Sequence, residues 1–163
     1  ALAWLVVGPR PYGWVRQSTT DGACSIEFSG PPRHKLDPDG EADGHEVVLT
    51  ARNAHFSLVF SDLGPEAAAL PTDEQFDLLR ALFASKKTSA GAAPKLVKEE
   101  VLADGGWNGR EFVFAVGDQF VTRIKVFVRG PRVYRAIAVV PPDPALEADA
   151  KRFIGSFRVE APR

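Results

Sequence analysis

Three consecutive stretches in the C-terminal half of the sequence alternate apolar and polar residues. They cover residues 110–116, 119–129 and 132–140, with Gly117-Asp118 and Gly130-Pro131 between them. Alternation with a period of two is typical of half-buried β-strands, and turns this short join antiparallel neighbours. The sequence therefore predicts an antiparallel meander over residues 110–140, which restricts the fold to one built on an antiparallel sheet.

Two segments carry the apolar spacing of amphipathic helices. The first covers residues 72–87, and Thr72 with Gln75 has the form of a capping box at its start. The second begins at Asp143, a suitable N-cap, with Pro144 at its first position, and ends near Gly155. We expect five aromatic and aliphatic side chains of these helices to pack on the sheet: Phe76, Leu79, Phe83, Phe153 and Phe157, with Leu82 beside the first three.

The N-terminal half has the pattern of further strands. Cys24, Ile26 and Phe28 alternate on one face of a short strand, and residues 47–52 and 55–61 predict a hairpin. Between them, residues 33–46 are polar and predict a mobile loop or a wide hairpin connection. The chain order of strands, helix, strands and helix predicts an α+β fold, with helices packed on an antiparallel sheet. We expect residues 157–160 to return to that sheet.

Composition excludes several classes of protein. The chain has 163 residues, a length typical of one domain, and a net charge of -1, which disfavours a nucleic-acid binder. A single Cys excludes a disulfide framework. We expect no cofactor and no metal.

The first seven residues are all apolar and the sequence contains no Met, so residue 1 has the character of a processing point. Residues 1–13 predict either an N-terminal arm or the end of a missing membrane or signal segment. Residues 14–160 form the single predicted domain, and residues 161–163 are a tail. No other run is long enough to cross a bilayer.

The order of several short motifs resembles the bacterial PsbP-like domains of the Mog1/PsbP superfamily, which includes DcrB-like lipoproteins. The residues that carry the resemblance are Trp14, Gly22, 25–28 with Pro31 and Pro32, 60–63, 106–112, 132–134 and 152–157. Each motif is weak alone, and their order and spacing together are more specific. Three positions depart from the family pattern: Ser29 and Asn108 replace prolines, and Cys24 stands where Phe or Tyr is common.

The resemblance implies an α/β/α sandwich around a central antiparallel sheet. It implies no catalytic residues, because the superfamily consists mostly of accessory and binding domains. It also implies a protein that is exported or tethered to a membrane. We accordingly expect an extracytoplasmic domain, held at the membrane only through a missing N-terminal anchor if at all; a cytoplasmic location stays open.

The residue types used in catalysis and metal binding do not form a recognisable set. Cys24 alternates with inward-facing residues, which favours a buried structural thiol. His34, His45 and His55 have no ligand spacing, and we interpret the first two as solvated. The glycine-rich turn over residues 105–109 precedes a strand and lacks the features of a phosphate loop. For Arg110 and Glu111, which open a strand, we expect a structural role, with a salt bridge to the last helix as one option.

Four basic residues surround the Gly130-Pro131 turn and form the one candidate contact surface: Arg123, Lys125, Arg129 and Arg132. The first three alternate on one face with Phe127. They are either a patch for an acidic partner or lipid headgroups, or a solvated strand edge that resists association, and the second interpretation is favoured.

Three functions follow from these observations. The first is a non-catalytic accessory or binding domain, monomeric, with a protein partner. The second is a carrier of a lipid or small molecule, which requires an apolar cavity between helix and sheet. The third, a hydrolase, is the weakest; it would be revived by a structure that places His55, Cys24 and a carboxylate together.

Overall fold

A computed structural model describes residues 13–36, 42–86 and 91–160. Its strands are β1 (Val15–Ser18), β2 (Cys24–Phe28), β3 (Arg33–Leu36), β4 (Ala42–Leu49), β5 (Ala54–Asp62), β6 (Lys95–Asp104), β7 (Trp107–Val116), β8 (Phe120–Arg129), β9 (Arg132–Val140) and β10 (Arg158–Val159). Its helices are α1 (Pro65–Ala68), α2 (Thr72–Ser85) and α3 (Pro144–Gly155), and a 3-10 turn (Thr50–Arg52) joins β4 to β5.

The central sheet has seven strands in the order β3-β4-β5-β9-β8-β7-β6, and every adjacent pair is antiparallel. The predicted meander is confirmed as β7, β8 and β9, and the predicted hairpin as β4 and β5. At the β6–β7 turn Gly105 and Gly106 both have positive φ, so a two-residue turn suffices and Trp107 already belongs to the strand.

One face of this sheet is covered by α3 and by a small sheet of order β1-β2-β10. As predicted, Asp143 caps α3: its Oδ1 accepts hydrogen bonds from the backbone N–H groups of Ala145 and Leu146, at 2.9 and 3.2 Å. Phe153 is fully buried, with its ring 5.2 Å from Phe28 and 5.4 Å from Phe56. The end of the chain returns to a sheet, but β10 pairs with β2 in the small sheet and not with the central one.

The opposite face carries α2. Phe76, Leu79 and Phe83 are buried against the sheet as expected, whereas Leu82 is 48% exposed and lies outside the apolar stripe. The predicted capping box is wrong. The N-cap is Pro71, and the Gln75 side chain instead donates hydrogen bonds to the carbonyls of Ala68 and Leu70, which ties the α1–α2 connection to α2. The two helices enclose the sheet, so the α/β/α sandwich is confirmed.

The polar stretch over residues 33–46 contributes two strands. β3 pairs with β4 in a hairpin that places Arg33 opposite Glu46. Residues 37–41, in the middle of this stretch, lie outside the described residues, as do 1–12 of the predicted N-terminal arm and the tail 161–163. Within the described ranges, no helix has the length and apolar character needed to span a bilayer.

Candidate functional site

The α2 face of the central sheet contains a groove of about 430 Å³, bounded by the end of α2 on one side and by β3 and β4 on the other. Helix α2 packs mainly on β7, near one edge of the sheet. Pockets that hold small molecules typically measure 300–1,000 Å³. The groove is therefore large enough for a small ligand.

The floor of the groove follows from strand alternation. In β5, Phe56, Leu58 and Phe60 point towards α3 and are buried in the core. The residues between them have the opposite orientation, so His55, Ser57 and Val59 line the groove. Strand β9 repeats this arrangement with three groove residues: Arg135, Ile137 and Val139.

Polarity changes across the groove. The apolar half lies beneath the end of α2, and it is formed by Phe83, Pro94, Phe114, Val116, Ile124, Ile137 and Val139. The polar half lies towards β3, and it contains Lys35, His55, Ser57 and Arg135. The division is incomplete, because Lys86 and Thr122 are polar residues on the side of α2 and β8 and Val59 is an apolar residue of β5.

Glu46 is the acidic residue at the polar end of the groove, and its side chain is only 5% exposed. Its carboxylate lies 2.7 Å from His55 Nε2, 2.6 Å from Arg33 Nη2 and 3.4 Å from Lys35 Nζ. Burial opposes the charged form of Glu46. The hydrogen bonds to His55 and Arg33 and the charge of Lys35 outweigh burial, so the pKa of Glu46 lies below its usual value.

Three of the described side chains that line the groove are cationic. Lys35, Lys86 and Arg135 line it, and among the described lining residues none is acidic. Arg135 Nη2 donates a hydrogen bond to Ser61 Oγ at 3.0 Å, and Lys86 Nζ lies 6.0 Å from the centre of the Phe83 ring. Glu46 contacts His55 from beside the groove, at 2.7 Å. The groove therefore combines cationic side chains with an apolar surface.

The His55–Glu46 pair is the one feature of the groove with the form of catalytic machinery. A general base needs a nucleophile, or water, within hydrogen-bond reach. In the described parts of the chain, the hydrogen bond that His55 forms is to Glu46, and no hydroxyl or thiol bonds to it. Cys24 is fully buried in the core on the opposite face, where burial raises its pKa. His55 and Cys24 therefore lie on opposite faces of the sheet, and the cluster of His55, Cys24 and a carboxylate that would support a hydrolase does not form.

The fold is shared with solved structures of low sequence identity. The chain is similar to cyanobacterial PsbP (CyanoP) from Synechocystis sp. PCC 6803, with a TM-score of 0.62 and 14% identity over 95% of this chain and 96% of that one. The domain has a PsbP-like fold. It is also similar to PA94 of Pseudomonas aeruginosa, a protein of unknown function, with a TM-score of 0.52 and 14% identity over 92% of this chain and 99% of that one.

At 14% identity, these comparisons establish the fold alone. A scan against family models and a search of curated proteins find no match for the sequence. The resemblance inferred from the motif order is confirmed as a likeness of fold, and the role of this PsbP-like domain depends on its own residues.

Arg132, one of the four residues of the predicted basic surface, is engaged within the fold. It donates hydrogen bonds to Asp62 at 2.8 Å and to Asp21 at 3.2 Å, and its guanidinium lies 5.0 Å from the Phe60 ring centre. Asp21 also accepts a hydrogen bond from Tyr134. Arg132 thus joins β5, β9 and the β1–β2 turn.

Arg123, Lys125 and Arg129 lie on one face of β8, as predicted. The interpretation of a strand edge is wrong, because β8 lies between β7 and β9. Arg129 lies over Trp107, and Lys125 lies over Phe127 opposite Glu111. Burial lowers the pKa of Lys125. A contact surface at these residues stays a prediction.

Arg110 and Glu111 point to opposite faces, as expected for neighbours in a strand. The structural role is supported for Arg110, but its described ion pairs are with α2 and β6 and not with the last helix, which was one option. Arg110 contacts Glu99 of β6 at 2.6 Å and Asp73 of α2 at 2.9 Å, and its guanidinium lies 5.2 Å from the Phe76 ring centre. Arg80 of α2 also bonds Glu99, so this network anchors α2 to the sheet.

The three His residues lie at two separate places in the fold. His34 and His45 face each other across the β3–β4 hairpin, with ring centres 5.4 Å apart, and His34 bonds to Asp43. Burial and the neighbouring His34 lower the pKa of His45. His55 is on the groove face with Glu46. Among the described residues, no group of three or more His, Cys, Asp or Glu side chains has the arrangement of a metal site.

Sequence reasoning named no residue of the groove as a binding residue. A signal was present in β5 and β9, where His55, Ser57 and Arg135 interrupt apolar strands that lie in the middle of the sheet. Polar residues at such positions require a partner or a solvated opening. The pattern could not show which of the two applies, because this depends on how far α2 reaches.

Proposed function

We propose that this PsbP-like domain is a non-catalytic binding domain that holds a small molecule in the groove on the α2 face. The observation that carries the proposal is the lining itself, in which an apolar floor meets a few polar side chains at one end. This combination is typical of small-molecule sites, where apolar contacts supply affinity and a few polar groups fix the orientation.

The groove differs from the closed apolar cavity expected for a carrier. In the described part of the chain, its floor is the α2 face of the sheet and it is partly open to solvent, while the α3 face holds an aromatic core around Phe153. An open groove allows a ligand to enter and leave without a large rearrangement. This supports reversible binding of a small molecule over permanent enclosure of one.

The contacts of His55 support binding over catalysis. A His paired with a carboxylate can act as a base only when it also reaches a nucleophile. His55 is instead one of three groups that surround Glu46, with Arg33 and Lys35. The test is an assay with a hydrolase panel and divalent metals. Turnover that is abolished by His55→Ala or Glu111→Gln would contradict the proposal.

Binding in the groove can be tested with Nile red, a neutral dye whose fluorescence increases in apolar surroundings. We expect saturable binding to the wild-type domain. Val139→Trp fills the centre of the floor and should weaken binding at least about tenfold, which corresponds to about 1.4 kcal/mol. Val101→Trp, at an exposed position of β6 outside the groove, is the matched control and should leave binding unchanged.

A second variant controls for the possibility that Val139→Trp loses binding because it misfolds. Thr122→Phe fills the same floor from β8 and should weaken dye binding in the same direction. Circular dichroism and urea unfolding establish that each variant is folded. Binding that is absent in the wild type, or unchanged in both folded variants, would overturn the proposed function.

The location of the domain is a separate proposal. We infer an extracytoplasmic domain from the apolar residues 1–7 and the resemblance described above. The test is to express the native coding region, with any upstream segment, as a fusion to an alkaline phosphatase that is active only after export. Activity supports the proposal, and an inactive but stable fusion contradicts it.

A further inference from the structure

We propose that the domain associates with a second copy of itself through strand β6, which pairs with its own copy in antiparallel orientation around a twofold axis at Val101. The inference goes beyond the proposed function and is independent of it, because β6 contributes no residue to the described lining of the groove. It differs from the monomer that the sequence favoured. Three observations carry it: the exposure of β6, the regularity of its second half, and the order of its charges.

Strand β6 forms one edge of the central sheet over ten residues. In the described parts of the chain it pairs with β7 alone, so its other side presents backbone N–H and C=O groups to which a further strand can bond. The opposite edge, β3, has only four residues and carries the basic side chains of Arg33 and Lys35. Of the two edges of this sheet, β6 is therefore the one suited to pairing.

The first part of β6 is protected against pairing, and the second part is not. The register with β7 shifts between Leu96 and Lys98, which is the mark of a β-bulge, and bulges disrupt pairing at a sheet edge. From Lys98 to Asp104 the register is continuous. Val101 lies at the centre of this regular segment and is 72% exposed although it is apolar. A second strand at this edge would cover it.

The turn between β6 and β7 determines which backbone groups of β6 point outwards. The two glycines of this turn have positive φ, and in two-residue hairpins the flanking residues, here Asp104 and Trp107, exchange hydrogen bonds. The direction of the backbone groups alternates along the strand. Three residues therefore point these groups away from β7: Glu99, Val101 and Ala103. They can form the hydrogen bonds to a second copy.

The charges of β6 are complementary to those of its own copy. Residues that lie opposite each other share a face of the sheet, so the twofold axis of an antiparallel pair passes through a residue. With the axis at Val101, Lys98 lies opposite Asp104 of the second copy, and the symmetry repeats this pair. Opposite charges across a strand pair stabilise it. Both copies then present α2 on the same side of one continuous sheet.

Other positions of the axis are less favourable. With the axis at Glu99 or Glu100, that carboxylate would lie opposite its own copy. With the axis at Leu102, Glu100 would lie opposite Asp104 of the second copy, again twice. Like charges directly opposite each other destabilise a strand pair. With the axis at Ala103, the paired stretch would run into the two-glycine turn and lose most of its length.

The expected dimer is weak. Pairing over residues 98–104 joins only two short strand segments, and interfaces below about 1,200 Å² are typical of transient association. We therefore expect a reversible equilibrium between monomer and dimer that shifts towards the dimer as the protein concentration rises.

An introduced Cys tests the position of the axis. Val101→Cys would place two thiols opposite each other, with Cα atoms about 5.5 Å apart, a separation that a disulfide spans. Mild oxidation should then give a covalent dimer. Val97→Cys is the matched control, because Val97 is 63% exposed on the same strand but its two copies would lie about 27 Å apart. Cys24 is fully buried and should not react.

Sedimentation equilibrium of the full chain measures association without a cross-link. Lys98→Asp should weaken dimerisation about tenfold, because like charges then face each other at two symmetric contacts. Combining it with Asp104→Lys restores opposite charges and should recover the affinity of the wild type. Lys95→Asp makes the same change of charge on the same strand before the bulge and should leave association unaltered. Circular dichroism establishes that each variant is folded.

Each other outcome overturns the inference. A wild-type chain that stays monomeric up to the highest soluble concentration excludes the dimer. Efficient cross-linking of Val97→Cys, or none of Val101→Cys, contradicts the position of the axis. Association that is unaffected by Lys98→Asp, or not recovered in the double variant, places the interface elsewhere. The Nile red assay reports on the groove separately, so failure of the dimer leaves the proposed function standing.

Discussion

The two faces of the central sheet are built from the same strands and differ in how completely they are covered. On the α3 face, β5 and β9 contribute Phe56, Leu58 and Ala136 to a core closed by α3 and the small sheet. On the α2 face, the same strands expose His55 and Arg135 to the groove. In the described residues, α2 packs mainly on β7, at one end of that face.

The difference shows how one strand can serve two purposes. Ala54, Phe56, Leu58 and Phe60 of β5 point towards α3, are apolar and add to the stability of the fold. Their neighbours His55, Ser57 and Val59 point into the groove, where polar side chains are tolerated. The face that α3 and the small sheet cover contributes most to stability, and the groove face offers a binding surface. Substitutions on the two faces should therefore have effects of different size and kind.

The largest expected effect is on the α3 face. Phe157 is 1% exposed and its ring lies 5.5 Å from that of Phe127. Phe157→Ala should reduce the free energy of unfolding by about 3–5 kcal/mol, because it removes a large buried ring and leaves a cavity. Val139→Ala on the groove floor is the comparison and should cost less than about 1 kcal/mol. Equal losses in urea unfolding would show that the groove is closed in solution.

A smaller loss is expected from the network that anchors α2. Glu99→Gln keeps the shape of the side chain but removes the charge that Arg80 and Arg110 share, at 2.8 and 2.6 Å. Hydrogen bonds to charged groups contribute about 1.5–3 kcal/mol, so a loss of about 2 kcal/mol is expected. Glu100→Gln, next in the chain and half-exposed on the other face, should change stability by less than about 0.5 kcal/mol. Similar losses for both would show that the network does not anchor α2.

The loss of folding stability at acid pH should depend in part on Glu46. Its folded pKa lies below the value of 4.5 for a free Glu side chain, so its ionised form stabilises the fold above that pH. This contribution is lost as the pH falls through the folded pKa. Urea midpoints measured from pH 7 to pH 3 should therefore fall less steeply for Glu46→Gln than for the wild type. The exposed Glu66→Gln is the control, and matching slopes for all three proteins would refute the assignment.

Much of the fold was predictable because local patterns and tertiary structure agree. Alternation over residues 110–140 predicted the meander, and Asp143 with Pro144 predicted the start of α3. The capping box failed because Gln75 found partners in the preceding connection. The polar stretch over residues 33–46 predicts either a mobile loop or a wide hairpin connection, and its polarity could not decide between them; the structure has the β3–β4 hairpin.

The groove could not be predicted from the sequence, because its lining residues come together through strand pairings between distant parts of the chain. Glu46 and His55 are predictable as neighbours only once the register of β4 and β5 is known. Arg135 joins them through the pairing of β9 with β5, across more than seventy residues of intervening chain. The basic set near Gly130-Pro131 was more visible because its members are close in sequence.

The smallest expected effect marks the boundary of the α2 contact. Leu82 is 48% exposed, whereas Leu79, three residues earlier on the same helix, is 4% exposed. Leu82→Gln should change stability by less than about 0.5 kcal/mol, since Gln and Leu have similar helix propensities and little apolar area is involved. Leu79→Ala should cost about 2–5 kcal/mol. If Leu82→Gln proves as costly as Leu79→Ala, α2 is rotated relative to the sheet in solution, and the wall that Phe83 and Lys86 provide to the groove moves with it.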